Sequence, residues 1–350
     1  MVQILSVSCA TPPLTLTQEQ VLKFVRGNVK MKPATGVFYE KVLKGSGIKN
    51  RHFALKNVKD SLEEDPDAIN RRFEKQSVEL SAEALKRSLS QANADPKTVD
   101  LLVVSTCTGY LCPGISSRLI ETCGLRPDVR CLDIVGMGCG SAIPALEAAH
   151  NFIKAHPKSL AAAVSTEICS SAIYWDDAPD LVVSNALFAD GSAAVLLSNS
   201  KSRGRASIQC FGSVTLPEWR ESLRFKSEGG RLRNVLKKEV PALVAKSLSP
   251  LIKKILAEAG LEKKSVRHWV FHSGGAKILD AIQKALALTD QNMRISRKIL
   301  RNYGNLSSPT VLFGLEDLLS RVRSIKSGDK VLIASFGAGF SAYACLLELR

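Results

Sequence analysis

The 350-residue sequence contains no apolar run long enough to span a bilayer, which argues against a helical membrane protein. It contains no CxxC pair flanked by histidines. Cys107, Cys112, Cys123, Cys131 and Cys139 are scattered, so a structural zinc knuckle, or any resident metal, is not expected. Nine cysteines is an odd number, and free thiols point to a reducing compartment. The opening MVQILSVSCATPPL lacks a basic leader and reads as a first strand, so the chain is expected in the cytoplasm. Lys and Arg outnumber Asp and Glu to give a net charge of +15, yet no dense basic run or aromatic interleaving accompanies them. Nucleic-acid binding as the main task is therefore not expected, and a phosphate-bearing small molecule is the more economical partner.

What is present is ordinary globular material, 45% hydrophobic and 23% charged, enough for one large or two intermediate domains. Two stretches share a design. ALKRSLSQANADPKTVDLLVVSTCTG from Ala84 and PLIKKILAEAGLEKKSVRHWVFHSGG from Pro250 each read as amphipathic helix, polar turn, then apolar strand ending in Gly. Val99 matches Val266, and Cys139 matches Asn305 at nearly the same offset. LFADGSAAVLLS and SFGAGFSAYACLLEL close the two copies in the same manner. The pattern predicts two α/β halves on a βαβ plan, residues 1–200 and 201–350, joined near SNSKSRGRAS (Ser198 to Ser207). Matching turns of the two copies should meet, bringing Cys139 and Asn305 together. His272 ends the corresponding strand of the second copy.

Cys139 lies in a glycine-rich turn, GMGCGSA, at the start of an amphipathic helix. Unpaired helix N–H groups and a nearby imidazole favour thiolate over thiol. A buried cysteine filling a tight corner would look the same in sequence. Asn305 and His272 can both donate to an oxygen that becomes negative, which suits acyl transfer through a thioester. A cysteine hydrolase would use the same three residue types, although it would not need the duplication.

GMGCGSA, VFHSGGAKILDAI, NYGNLSSPTVLFGLEDL, LFADGSAAVLL and SFGAGFS together resemble the landmarks of type III polyketide synthases, the chalcone-synthase-like family of thiolase-like condensing enzymes. The likeness covers nearly the whole chain. It implies a thiolase-like α/β fold of duplicated βαβ halves in a five-layered α-β-α-β-α arrangement. It implies a homodimer that meets its partner near Cys112 and needs no cofactor beyond its acyl-CoA and malonyl-CoA substrates. By the same resemblance, Cys139 takes the starter acyl group, and His272 and Asn305 hold the malonyl thioester oxygen during decarboxylation. Phe188 stands as a gatekeeper, where an apolar ring disfavours the malonyl carboxylate. Lys49, Arg51 and Lys56 resemble residues that meet the phosphates of coenzyme A. Cys107, Thr108, Cys169, Ala172, Asn234, Ser307, Gly337 and Ala338 fall at pocket positions. Cys107, Thr108, Cys169, Ala172, Asn234 and Ala338 depart from the plant pattern, and small residues at Cys169 and Ala172 suggest room for a long aliphatic starter. An alkylpyrone or alkylresorcinol product is therefore favoured, with naphthalene-type or chalcone-type products as alternatives. HSGG after the strand argues against the runner-up, a KAS III-like carrier-protein synthase. Retention of Cys, His and Asn argues against an inactive thiolase-fold scaffold.

Overall fold

The computed structural model describes residues 1–200, 204–320 and 325–350, so part of the expected joint between the halves lies outside the described residues. The first part of the chain runs β1 (Gln3–Ala10), β2 (Leu14–Thr17), α1 (Gln18–Asn28), α2 (Pro33–Gly45), β3 (Asn50–Phe53), α3 (Pro66–Gln91), β4 (Val99–Thr106) and α4 (Ile115–Cys123). It continues with β5 (Arg130–Val135), α5 (Ala142–Ala155), β6 (Leu160–Glu167), α6 (Pro179–Leu187) and β7 (Gly191–Ser198). Then follow β8 (Ala206–Thr215), β9 (Leu223–Glu228), β10 (Arg231–Leu236), α7 (Val240–Glu258) and β11 (Val266–Phe271). The chain closes with α8 (Ala276–Leu286), α9 (Asp290–Tyr303), α10 (Thr310–Leu319), β12 (Lys330–Gly337) and β13 (Ser341–Leu349).

Nine strands form one mixed sheet in the order β11-β12-β13-β8-β1-β7-β6-β4-β5. The repeat is visible in the pairing. β7 lies antiparallel between β1 and β6, and β6 runs parallel to β4. β13 lies antiparallel between β8 and β12, and β12 runs parallel to β11 in the same way. β5 extends the first set and has no matching strand in the second among the described residues. The sets touch through a short β1–β8 ladder, Gln3 opposite Ser207 and Ile4 opposite Ala206.

Alternation along the strands explains the layers. Val103 points to one buried face of β4 and Leu102 and Val104 to the other, as a strand covered on both sides requires. α5 (Ile143, Leu146, Ala149, Ile153) and α10 (Val311, Leu312, Leu315) share a core with Val103, Val195, Ile333 and Leu347 from both strand sets. Leu80, Leu85 and Leu89 of α3 and Leu119 of α4 cover the opposite face of the first set. Val244, Leu248 and Ile252 of α7 and Leu279 and Ile282 of α8 cover the second. The result is the five-layered α-β-α-β-α arrangement of a thiolase-like fold, with α5 and α10 as the middle layer. No helix among the described residues is long and apolar enough to cross a membrane.

Leu146 is fully buried in that middle layer. Leu146→Ala should leave a cavity and lower unfolding stability by about 2–5 kcal/mol, read as a fall in urea midpoint with unchanged slope.

Candidate active site

The turn before α5 is shaped by close backbone approach. Gly138 has φ +62°, and a Cβ there would lie 2.5 Å from the Ala338 nitrogen. A Cβ on Gly337 would lie 2.6 Å from the Gly140 nitrogen and 2.7 Å from the Met137 oxygen. Neither side chain is sterically possible, so glycine is required at both places. Ser335 Oγ donates to the Gly140 carbonyl at 3.0 Å and ties the same two segments. Cys139, 7% exposed, is thereby fixed against the end of β12, in the other half of the chain.

Asn305 follows α9 and lies beside Phe188 in an isolated parallel bridge. Its N–H donates to Leu187 O at 2.9 Å, and its carbonyl accepts from Ala189 N–H at 2.8 Å. Its carboxamide oxygen accepts from Ser307 N–H at 2.9 Å, which orients the group, and Nδ2 donates to Gly274 O at 3.3 Å. The second Nδ2 hydrogen remains for another acceptor. Ser307 Oγ donates to Cys139 Sγ at 3.2 Å. His272, two residues before Gly274, packs edge-on against the Phe336 ring at 4.8 Å, and its Nδ1 is buried without a partner. Cys139, His272 and Asn305 therefore share one cluster, linked through Ser307, Gly274 and Phe336. Among the described residues no hydrogen bond joins any two of the three side chains directly.

Burial dominates the electrostatics of this cluster. Burial pushes the Cys139 thiol up to about 12, against a smaller lowering by the Ser307 hydrogen bond. Burial also pushes the His272 imidazole down to about 3. Both shifts have one main cause, desolvation of the charged form.

Sequence expectations for the surrounding residues divide. Cys169, Ala172, Phe188 and Asn234 line one cavity, together with Phe53 and Phe225. Its volume is about 10 Å3, room for roughly one water, and three aromatic rings line it beside the small residues Cys169 and Ala172. Asn234 is buried there with its Oδ1 unpartnered. Arg51 requires a correction. It is 1% exposed, and its guanidinium donates to Gln18 Oε1, Asn185 O and Phe188 O at 2.7–2.9 Å. It faces inward and binds the Phe188 carbonyl, so its guanidinium is not presented to solvent for a phosphate. Lys49 and Lys56 are exposed. Thr108 is committed to internal hydrogen bonds, donating through Oγ1 to Glu167 and accepting from Ile168 N–H. Half-buried Cys107 contacts Ser307 Oγ at 3.4 Å. Ser307 touches the sulfur directly, and Gly337 and Ala338 form the wall that holds it.

Sequence reasoning missed Glu167 and Phe225. Glu167 ends β6 in STEICSS, where a charged residue closing an apolar strand is the one available signal. Phe225 faces Asn234 across the β9–β10 ladder, a pairing that no local pattern announces.

Fold and cluster together define a thiolase-like chain whose two halves converge on a cysteine, a histidine and an asparagine. Residues 1–215 match the family model for FAE1/type III polyketide synthase-like proteins, and residues 209–348 match the chalcone and stilbene synthase C-terminal domain. The chain belongs to the type III polyketide synthase family, and it is an acyltransferase. It is similar to the 3,5-dihydroxyphenylacetyl-CoA synthase of Streptomyces toyocaensis, 32% identical over 79% of this chain and 73% of that one. The 1,3,6,8-tetrahydroxynaphthalene synthase of Streptomyces peucetius subsp. caesius is 29% identical over 99% of this chain and 92% of that one. The crystal structure of 1,3,6,8-tetrahydroxynaphthalene synthase from Streptomyces coelicolor A3(2) superposes with a TM-score of 0.93 at 26% identity, covering 99% of each chain.

The buried imidazole makes stability pH-dependent. Below about 6.5 the unfolded chain binds a proton at His272 that the folded chain refuses until about 3. Stability should therefore fall as pH drops, by about 2 kcal/mol between pH 6.5 and 5 from this group. His272→Gln should show a shallower loss of Tm over that interval than the parent chain.

Proposed function

We propose that this chain loads an acyl group from a CoA thioester onto Cys139 and extends it by decarboxylative Claisen condensation with malonyl-CoA. The observation that carries this reading is the linked cluster of Cys139, Asn305 and His272 at the meeting of the two halves. Neutral His272 takes the Cys139 proton at Nε2 as the sulfur attacks the starter carbonyl. The new carbon–sulfur bond forms as the bond to CoA breaks, and the CoA thiolate leaves. The Nε2–H then formed and the free Asn305 Nδ2 hydrogen donate to the malonyl thioester oxygen. That oxygen gains charge as carbon dioxide departs, which is where preorganised donors act. The enolate carbon attacks the acyl-Cys139 carbonyl and expels the Cys139 sulfur.

Phe188 serves as the apolar gate beside Asn305, and Ser307 hydrogen-bonds the nucleophile. Lys49 and Lys56 are the cations available to the CoA phosphates, with Arg51 withdrawn to an internal role. The relatives named for 1,3,6,8-tetrahydroxynaphthalene and 3,5-dihydroxyphenylacetyl-CoA support an aromatic, naphthalene-type product from a short starter over a long alkyl one. Residues 1–200 supply the nucleophile, and residues 201–350 supply His272 and Asn305. A homodimer through β5 is supported by an edge strand that leaves Leu132 43% and Val135 48% exposed, near exposed Tyr110 and Cys112. Nine unpaired thiols suit the cytoplasm.

Cys139→Ala should abolish chain extension while malonyl-CoA decarboxylation continues, followed by mass analysis of products. Full polyketide output from that variant would overturn the assignment. Asn305→Ala should slow decarboxylation about 100-fold, roughly 3 kcal/mol of barrier. A panel of acyl-CoA starters offered with malonyl-CoA should yield products with short starters. Turnover restricted to malonyl carrier protein, or to long alkyl starters, would overturn the substrate reading.

A further inference from the structure

The β9–β10 hairpin stands outside the nine-stranded sheet as a separate ladder, from Leu223 opposite Leu236 to Glu228 opposite Arg231. Its turn holds Gly229 and Gly230, both at positive φ. Gly230 lies against the start of α3, where a Cβ would meet Pro66 Cγ at 3.1 Å. Two hairpin residues, Phe225 and Asn234, line the cavity beside Phe188. Cys169, Ala172 and Ile173, from the segment before α6, line the same cavity.

One side chain joins these two linings. Arg231 stands three residues before Asn234, and its side chain is only 8% exposed. Its Nη2 donates to the Ile173 carbonyl at 3.0 Å, and the guanidinium lies over the Tyr174 ring at 4.4 Å. Asn185 Nδ2 donates to the Tyr174 carbonyl at 3.0 Å, which ties the gripped segment to α6. Glu64 lies 3.5 Å from Arg231 but is 70% exposed, and so solvated a pair holds little. Arg233 adds a longer contact, 3.4 Å, to Asp180 of α6. Among the described residues, Arg231 and Arg233 make the only hydrogen bonds from the two hairpin strands to α6 and the segment before it. A guanidinium offers its face to a ring and its N–H edge to a carbonyl at once, a combination that an ammonium lacks.

We propose that Arg231 is a positioning residue that seats the hairpin on Ile173 and Tyr174 and so limits the length of acyl chain the cavity accepts. The inference rests on the proposed function, in which the acyl chain passes Phe188. Seated, the hairpin holds Phe225 and Asn234 close to Cys169 and Ala172. Released, it swings about its base, where Lys237 N–H donates to Ser222 O, and the cavity widens. Among the described residues the hairpin strands share no hydrogen bond with Cys139, His272 or Asn305, so the condensing chemistry is left as it was.

The test compares variants of the full chain by amide hydrogen exchange and by kinetics with acyl-CoA starters of different length. Arg231→Ala should exchange about tenfold faster across residues 223–236, with β12 unchanged. Its ratio of KM for a long alkyl-CoA to KM for a short one should fall about tenfold. Malonyl-CoA decarboxylation, and kcat with the short starter, should stay within about twofold of the parent. Arg231→Lys, which keeps the charge without the planar face, should fall between the two. Tyr174→Leu should reproduce Arg231→Ala, whereas Tyr174→Phe, which keeps the ring, should match the parent. The Tyr174 pair decides if Arg231→Ala does not fold. Unchanged hairpin exchange overturns the proposal, as does faster exchange with an unchanged length preference. A parallel loss of decarboxylation marks general disruption and overturns it too. If the parent turns over no acyl-CoA starter, the functional reading fails, and exchange alone decides whether Arg231 seats the hairpin.

Discussion

The contact on which the site depends is backbone against backbone. The Met137–Gly140 turn of the first half rests on Gly337 and Ala338 of the second at distances that leave no room for a Cβ. Such an approach fixes Cys139 relative to β12, and β12 in turn carries Phe336, which the His272 ring packs against. A side-chain contact could relax by a rotamer change, whereas two opposed main chains cannot. The nucleophile therefore inherits its position from the sheet.

The second element of design is a buried polar seam between the halves. Glu167 gathers donors from β4 and the turn after it on one side and from Ser307 and Ser308 on the other. Arg51 forms a second buried set inside the first half, tying Gln18, Asn185 and Phe188. Each charge is surrounded by the hydrogen bonds that make its burial tolerable. The Glu167 set includes Ser307, which bonds Cys139, and the Arg51 set includes Phe188.

Burial dominates the electrostatics of the cluster. Desolvation raises the Cys139 thiol and lowers the His272 imidazole, against the pull toward thiolate of a helix start and a neighbouring imidazole. The cavity beside Phe188 is lined by the rings of Phe53 and Phe225 together with Cys169 and Ala172.

Much of this was legible in the sequence because it is local or periodic. The glycine turns around Cys139 and Gly337, the strand ending at His272 and the repeated helix–turn–strand pattern all depend on residues close together in the chain. The sequence by itself determined the α/β class, the repeated strand and helix pattern and the three residue types proposed to bear the chemistry. Only the tertiary structure decided that Arg51 turns inward, that Glu167 shares Ser307 with Cys139 and that Phe225 lines the cavity beside Phe188. Those three facts come from sheet register and from contacts between residues far apart in the chain, where the same local sequence could face either way.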